Sequence, residues 1–189
     1  VIDTKNHINE RMDVAIANGK IAKVSKKISQ KESRKTIDAS GLYVVPGLID
    51  IHTHVFAGSK ADKFADGIYS VSPDDFSFKS GVTTMVDAGT SGWRNFSLFK
   101  TQVIDHSQTR VLSFLNIAAD GLSGKPMQED INEMNADSVS VLIQKYKDII
   151  VGVKIGHYEG SDWIPFDKAL AAATKSNMPL FVECHLPQY

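Results

Sequence analysis

The chain has 189 residues, with 21 lysines and arginines against 22 aspartates and glutamates, and a net charge of −1. That balance offers no basic surface of the kind nucleic-acid binding needs, and no apolar run approaches the roughly 18 residues of a membrane-spanning helix. A single cysteine, Cys184, excludes an internal disulfide and fits a reducing, cytoplasmic setting.

Residues 1–46 alternate short apolar strands with polar turns. Strands are expected over 12–17 and 20–25, joined at Asn18-Gly19, because both residues tolerate the positive φ of a tight hairpin turn. Further strands are expected over 36–39 and 42–45, on either side of Ser40-Gly41. The mildly basic stretch from Lys26 to Lys35 reads as a solvated turn.

From residue 48 the pattern changes to strands alternating with helices, which calls for a parallel sheet with crossover helices. Strands are expected over 48–54, 82–87, 110–117, 149–155 and 179–185, and helices over 93–106, 128–135, 138–146 and 165–176. Asp137-Ser138 reads as a cap of the third helix, and Pro165 as the first-turn proline of the fourth.

The densest signal is Val44-Val45-Pro46-Gly47-Leu48-Ile49-Asp50-Ile51-His52-Thr53-His54. A Pro-Gly turn leads into an apolar strand, read as buried, that ends in His-x-His. Residues i and i+2 of a strand share a face, so His52 and His54 project side by side. Two neutral imidazoles so placed form half of a divalent-metal site. A chance His-x-His is the alternative.

The segment Pro46-Gly47-Leu48-Ile49-Asp50-Ile51-His52-Thr53-His54 resembles the signature of the amidohydrolase superfamily, in the branch of cyclic amidases and deacetylases that includes dihydroorotase and dihydropyrimidinase. The likeness continues in Gly81-Val82-Thr83-Thr84-Met85-Val86-Asp87-Ala88-Gly89-Thr90 and in Val151-Gly152-Val153-Lys154-Ile155. It is nearest to a subgroup of dihydroorotase-like or adenine-deaminase-like deacetylases. The fold it implies is α/β: a metal-dependent (β/α)8 TIM barrel preceded by a small β-sandwich segment. Residues 1–46 would be the sandwich part and residues 47–189 the N-terminal portion of the barrel. Only about five strand-helix units are present, where a closed barrel takes roughly 250 residues. The chain is therefore expected to be part of a longer protein.

Active sites of parallel barrels lie at the carboxyl ends of the strands. Those ends carry His52 and His54, then Asp87, Asn116, Lys154 with His157, and last Glu183 with His185. Lys154 stands in an otherwise apolar strand, where an ammonium must be paired, neutralised or chemically changed. In the resembling family a lysine at this place is carboxylated by carbon dioxide and bridges two metals. The alternative is a lysine paired with a carboxylate such as Glu183. The fifth strand departs from the family's usual metal-binding histidine: alignment of the apolar run puts Glu183 there, with His185 as its rival, and either could instead support a ligand.

Asp87 is a candidate substrate contact, expected to order its loop or a histidine ligand, or to cap the Gly89 or Thr90 amides. Arg94 could clamp a substrate carboxylate, or be an exposed helix-start arginine. His157 is a candidate substrate contact. The family's sixth-strand histidine and its general base, an aspartate of the eighth strand, would lie beyond Tyr189.

The resemblance implies a hydrolase of amide or cyclic-amide C–N bonds acting through a metal-activated hydroxide, on a small-molecule substrate. Two zinc ions are the expected cofactors, with manganese or iron tolerating a Glu183 ligand. A purine deaminase would need the same ligands. A non-catalytic assembly protein related to dihydropyrimidinase is the reading from another class. Neither nucleic acid nor membrane is an expected partner; a homo-oligomer is compatible with the sequence.

Overall fold

The computed structural model describes residues 1–56, 70–123 and 128–183. The chain divides into two compact units, Val1–Gly47 and Leu48–Tyr189.

The first unit holds two two-stranded antiparallel sheets: β1 (Ile2–Asp3) with β2 (Ile8–Asn9), and β3 (Asp13–Ala17) with β4 (Lys20–Ser25). Asn18 and Gly19 carry φ of 51° and 70°, as the tight turn between β3 and β4 demands. The strands expected over 36–39 and 42–45 do not form. Ile37, Leu42 and Tyr43 are exposed, so their alternation has no surface to bury. A strand needs a ladder partner, and here the bond from the Ile2 amide to the Val44 carbonyl stands outside any ladder.

The second unit is a five-stranded parallel sheet in sequential order: β5 (Leu48–Thr53), β6 (Val82–Gly92), β7 (Arg110–Asn116), β8 (Ile150–Gly156) and β9 (Leu180–Glu183). Helices α1 (Phe96–Phe99), α2 (Ala136–Lys145) and α3 (Ile164–Ser176) lie in the connections. This is part of a TIM barrel, with one strand following the next around the wall. The core is apolar and includes the stacked pair Phe56 and Phe99 at 4.9 Å, with Phe96 edge-on to Phe99. Each such ring taken fully from water stabilises the fold by about 1.5–3 kcal/mol.

Several elements differ from the sequence reading. β5, expected to be buried, stands at the edge of the sheet with Leu48, Ile49 and Ile51 exposed. β6 runs five residues beyond Asp87, since its end packs backbone on backbone against the turn after β7 at Gly92. The helix expected over 93–106 starts late and is irregular. The Arg94 amide bonds to the Ala119 carbonyl, and the Asn95 side chain accepts from the Gly92 amide. Four α-helical residues then pass into a wider π-turn, Lys100–Ile104. The helix expected over 128–135 is no continuous helix among its described residues. Asp130 caps a 3-10 turn at Ile131–Glu133, and Met134 bridges to Ala118. The cap of α2 is Asn135, whose side chain accepts from the Ser138 amide.

Candidate metal centre

The carboxyl end of the sheet gathers the polar groups. In register, Asn116 of β7 stands opposite Lys154 of β8, and Lys154 opposite Phe181 of β9. His52 and His54 close β5, their rings edge-on with centroids 5.6 Å apart. Asp50 does not join them; its carboxylate accepts from the His52 amide.

Lys154 is wholly buried and ion-paired with Glu183. Its ammonium also sits 4.0 Å over the Phe181 ring, a favourable place for a cation. The same carboxylate oxygen, Oε2 of Glu183, lies 3.7 Å from His52 Nε2 and 3.7 Å from His157 Nε2. Strands β5, β8 and β9 thus converge on one oxygen. Burial pushes the Glu183 carboxyl up, but the hydrogen bond and charge of Lys154, with His157 and His52 adding, hold it down at about 2.

His54 Nδ1 is 2.9 Å from Thr90 Oγ1 at the end of β6. That contact orients the ring through Nδ1. Burial, with the charges of His52 and Lys154 adding, holds the imidazole down at about 4, from 6.5.

Asp87 is fully buried and links two strand ends. Its carboxylate accepts from the Val55 amide at 2.9 Å and from the Thr90 amide at 2.7 Å. One side chain thereby places both the residue after His54 and the threonine that orients His54. It orders these loops, and it makes the strand-end cap onto the Thr90 and Gly89 amides that the alternative reading expects. Asp87→Asn keeps one acceptor and turns an amide donor toward a backbone donor, so a loss of about 2 kcal/mol is expected in urea unfolding. An unchanged midpoint would mean the link carries no load.

Burial pushes the Asp87 carboxyl up to about 6, from 3.8, against the hydrogen bonds of Val55, Thr90 and Gly89. The signs of Asp87 and His54 then oppose. Between 6.5 and about 4 the unfolded chain takes up a proton that folded His54 refuses, so the His54 contribution is lost as pH falls. Between 3.8 and about 6 folded Asp87 keeps a proton that the unfolded chain releases, so its contribution is lost as pH rises. The metal-free protein should show a shallow melting profile across this window. In His54→Asn the Asp87 slope loses that opposition, and the melting temperature should fall from about pH 5 to about pH 6. A variant profile parallel to the parent's would contradict this.

Arg94 is not drawn into the cluster. Its guanidinium pairs with Asp120 at 2.7 Å and with Glu133, and stacks 5.0 Å from the Trp93 ring centroid. His157 is drawn in, from a left-handed backbone with φ of 64°. His185 lies outside the described residues, as does Cys184. Two residues of the site escaped the sequence reading. Phe181 touches both Lys154 and His52, with ring centroids 5.1 Å apart in the second case. Thr90 was read only as a backbone amide. Neither signal is local, since each contact joins strands far apart in sequence.

Imidazoles from His52 and His54 and a carboxylate from Glu183 are a donor set that suits zinc or a similar divalent metal. Among the described residues no three His, Cys, Asp or Glu groups stand together as a formed ion site. The Lys154 ammonium takes up the Glu183 carboxylate instead.

No family model matches the chain. It is similar to a deacetylase of Agrobacterium fabrum, 30% identical over 174 residues that cover 87% of this chain and 41% of that protein. Among solved structures it superposes on one described as an adenine deaminase, with TM-score 0.77 and 27% identity, covering 95% of this chain and 48% of the other. A structure described as a dihydroorotase gives TM-score 0.76 and 28% identity, covering 93% and 47%. The chain thus spans under half the length of these relatives. With five sequential parallel strands, His-x-His at the end of the first and a buried lysine at the end of the fourth, it belongs to the amidohydrolase superfamily, in the dihydroorotase-like branch.

Proposed function

We propose that this chain forms part of a divalent-metal hydrolase of non-peptide C–N bonds, taking a small-molecule amide or cyclic amide. The observation that carries the reading is the convergence of His52, Lys154 and Glu183, with His54 oriented beside them, at the active end of a parallel sheet. The ligands would be His52, His54, Glu183 or His185, and Lys154 in carboxylated form. Carboxylation would turn the buried cation into an anion and free Glu183 from it. Zinc is the favoured metal, and two ions the favoured number. A bound divalent ion there supplies Lewis acidity toward the substrate carbonyl and lowers the pKa of water.

The residues on hand divide the remaining work. Thr90 holds the His54 ring, and Asp87 holds Thr90 and Val55 in place. His157, at the rim beside Glu183, would contact the substrate. Phe181 walls the site with an apolar face. The protein is taken to work in the cytoplasm, with a homo-oligomer as its possible assembly.

The test is elemental analysis of the purified protein, followed by parallel assays on N-acyl amino acids, dihydroorotate and adenine. Metal uptake with hydrolysis of an acyl or cyclic amide is expected. Turnover of adenine alone would establish the second reading, a deaminase, which the likeness to the adenine deaminase structure favours. No bound metal after exposure to excess divalent ion would leave the non-catalytic assembly reading.

A further inference from the structure

We propose that Gly89 and Gly156 are positioning residues for Lys154. They form a slot whose walls, more than the ion pair at its end, set where the lysine nitrogen sits. The proposal deepens the metallohydrolase reading and rests on it only for the use made of that nitrogen.

The slot grips the stem at two heights. A Cβ on Gly89 would lie 2.5 Å from Lys154 Cγ and 2.8 Å from its Cβ. A Cβ on Gly156 would lie 3.0 Å from Lys154 Cε and 3.1 Å from the Cβ of Glu183. Real Cβ atoms do not approach as closely as the Gly89 contacts, and the Gly156 contacts are tighter than nine in ten, so the lysine lies where two missing side chains leave room. Asn116 holds the Gly89 wall. Its buried amide donates to the Gly89 carbonyl at 3.0 Å and accepts from the Ala118 amide at 3.0 Å. The Phe181 ring bounds the nitrogen.

A free lysine stem samples many rotamers, and a ligand that ordered it would bear that entropic cost at each binding. A stem already ordered by the fold presents its nitrogen at one place, between the ends of β5 and β9. The same slot explains how a wholly buried lysine can stay aligned if its pairing with Glu183 is exchanged for another partner.

Gly156 gives the cleaner test, because its backbone lies outside the left-handed region while Gly89 has φ of 82°. Alanine at 156 meets no strain of that kind, only the close contacts with Lys154 Cε and Glu183 Cβ. Melting temperatures are compared in the full chain for Gly156→Ala, Lys154→Ala and the double variant, and zinc chloride is titrated by calorimetry into the parent and Gly156→Ala. The expected result is a lower melting temperature for Gly156→Ala that shrinks by more than half in the Lys154→Ala background, the remainder coming from the Glu183 contact, with zinc affinity at least about tenfold weaker in the single variant. Should Gly156→Ala fail to fold, recovery of folding by Lys154→Ala supports the slot, and failure of both overturns it. An equal cost with and without the lysine overturns it too, as does an unchanged zinc affinity. If the parent takes up no zinc while the coupling persists, the slot stands and the metal reading falls.

Discussion

Alanine at both His52 and His54 should abolish divalent-metal uptake and lower amide hydrolysis by at least about 10³-fold, more than the loss of a single oxyanion-type donor brings. The two imidazoles come from one strand end and supply nitrogen donors at a place where the rest of the cluster is one carboxylate, one buried lysine and the rim imidazole of His157. Removing one leaves a weakened site; removing both leaves no imidazole from β5. The fold should survive. His52 is nearly half exposed, and His54 gives up one hydrogen bond to Thr90, worth about 1 kcal/mol. Circular dichroism, metal content and turnover on the same preparation test this together. Retained metal and activity in a folded variant would move the site away from this strand end.

Much of this centre was legible in the amino-acid order because the relevant rules are local. A period of two puts His52 and His54 on one side of a strand, and the strand-end rule puts them where barrels work. Lys154 stood out as a single charge in Val151-Gly152-Val153-Lys154-Ile155, and pairing with Glu183 was one of its foreseen resolutions. The five strands of the sheet were legible for the same reason, as apolar runs between turn residues. What escaped depends on register between strands. Asp87 reaches Val55 across 32 residues, and Thr90 reaches His54 across 36. The slot around Lys154 needs Gly89 and Gly156 on opposite sides of one stem, which no pattern along the chain announces. The misread stretches fail on burial. Residues 36–39 and 42–45 alternate as strands do, yet their apolar side chains stay in water, so alternation alone did not secure a partner. The partners of Arg94, read as a substrate clamp or an exposed helix-start arginine, were equally out of sight, because Asp120 and Glu133 lie 26 and 39 residues away.

Glu183→Gln should destabilise the metal-free protein by about 3 kcal/mol, because it strands a wholly buried ammonium without its countercharge. The reverse removal is milder. Lys154→Met fills the slot with an unbranched apolar stem and leaves Glu183 one-fifth exposed, where water can serve its oxygens. Replacing both partners, Lys154→Met with Glu183→Gln, should recover most of the loss, since an uncharged pair has no buried charge to satisfy. Urea unfolding of the four proteins at neutral pH measures the cycle. This ordering follows from burial: the cost goes to the partner that cannot reach water, and here that partner is the lysine. Equal losses for the two single variants would show that Lys154 reaches solvent when unpaired. In a protein that carries metal the ordering should change, because Glu183 would then serve the ion and Lys154 would no longer depend on it for charge balance. A Glu183→Gln loss that shrinks on metal loading would connect the ion pair of this structure to the chemistry proposed for the same residues. A loss that stays constant would mean the pair persists and the fifth-strand ligand is another residue.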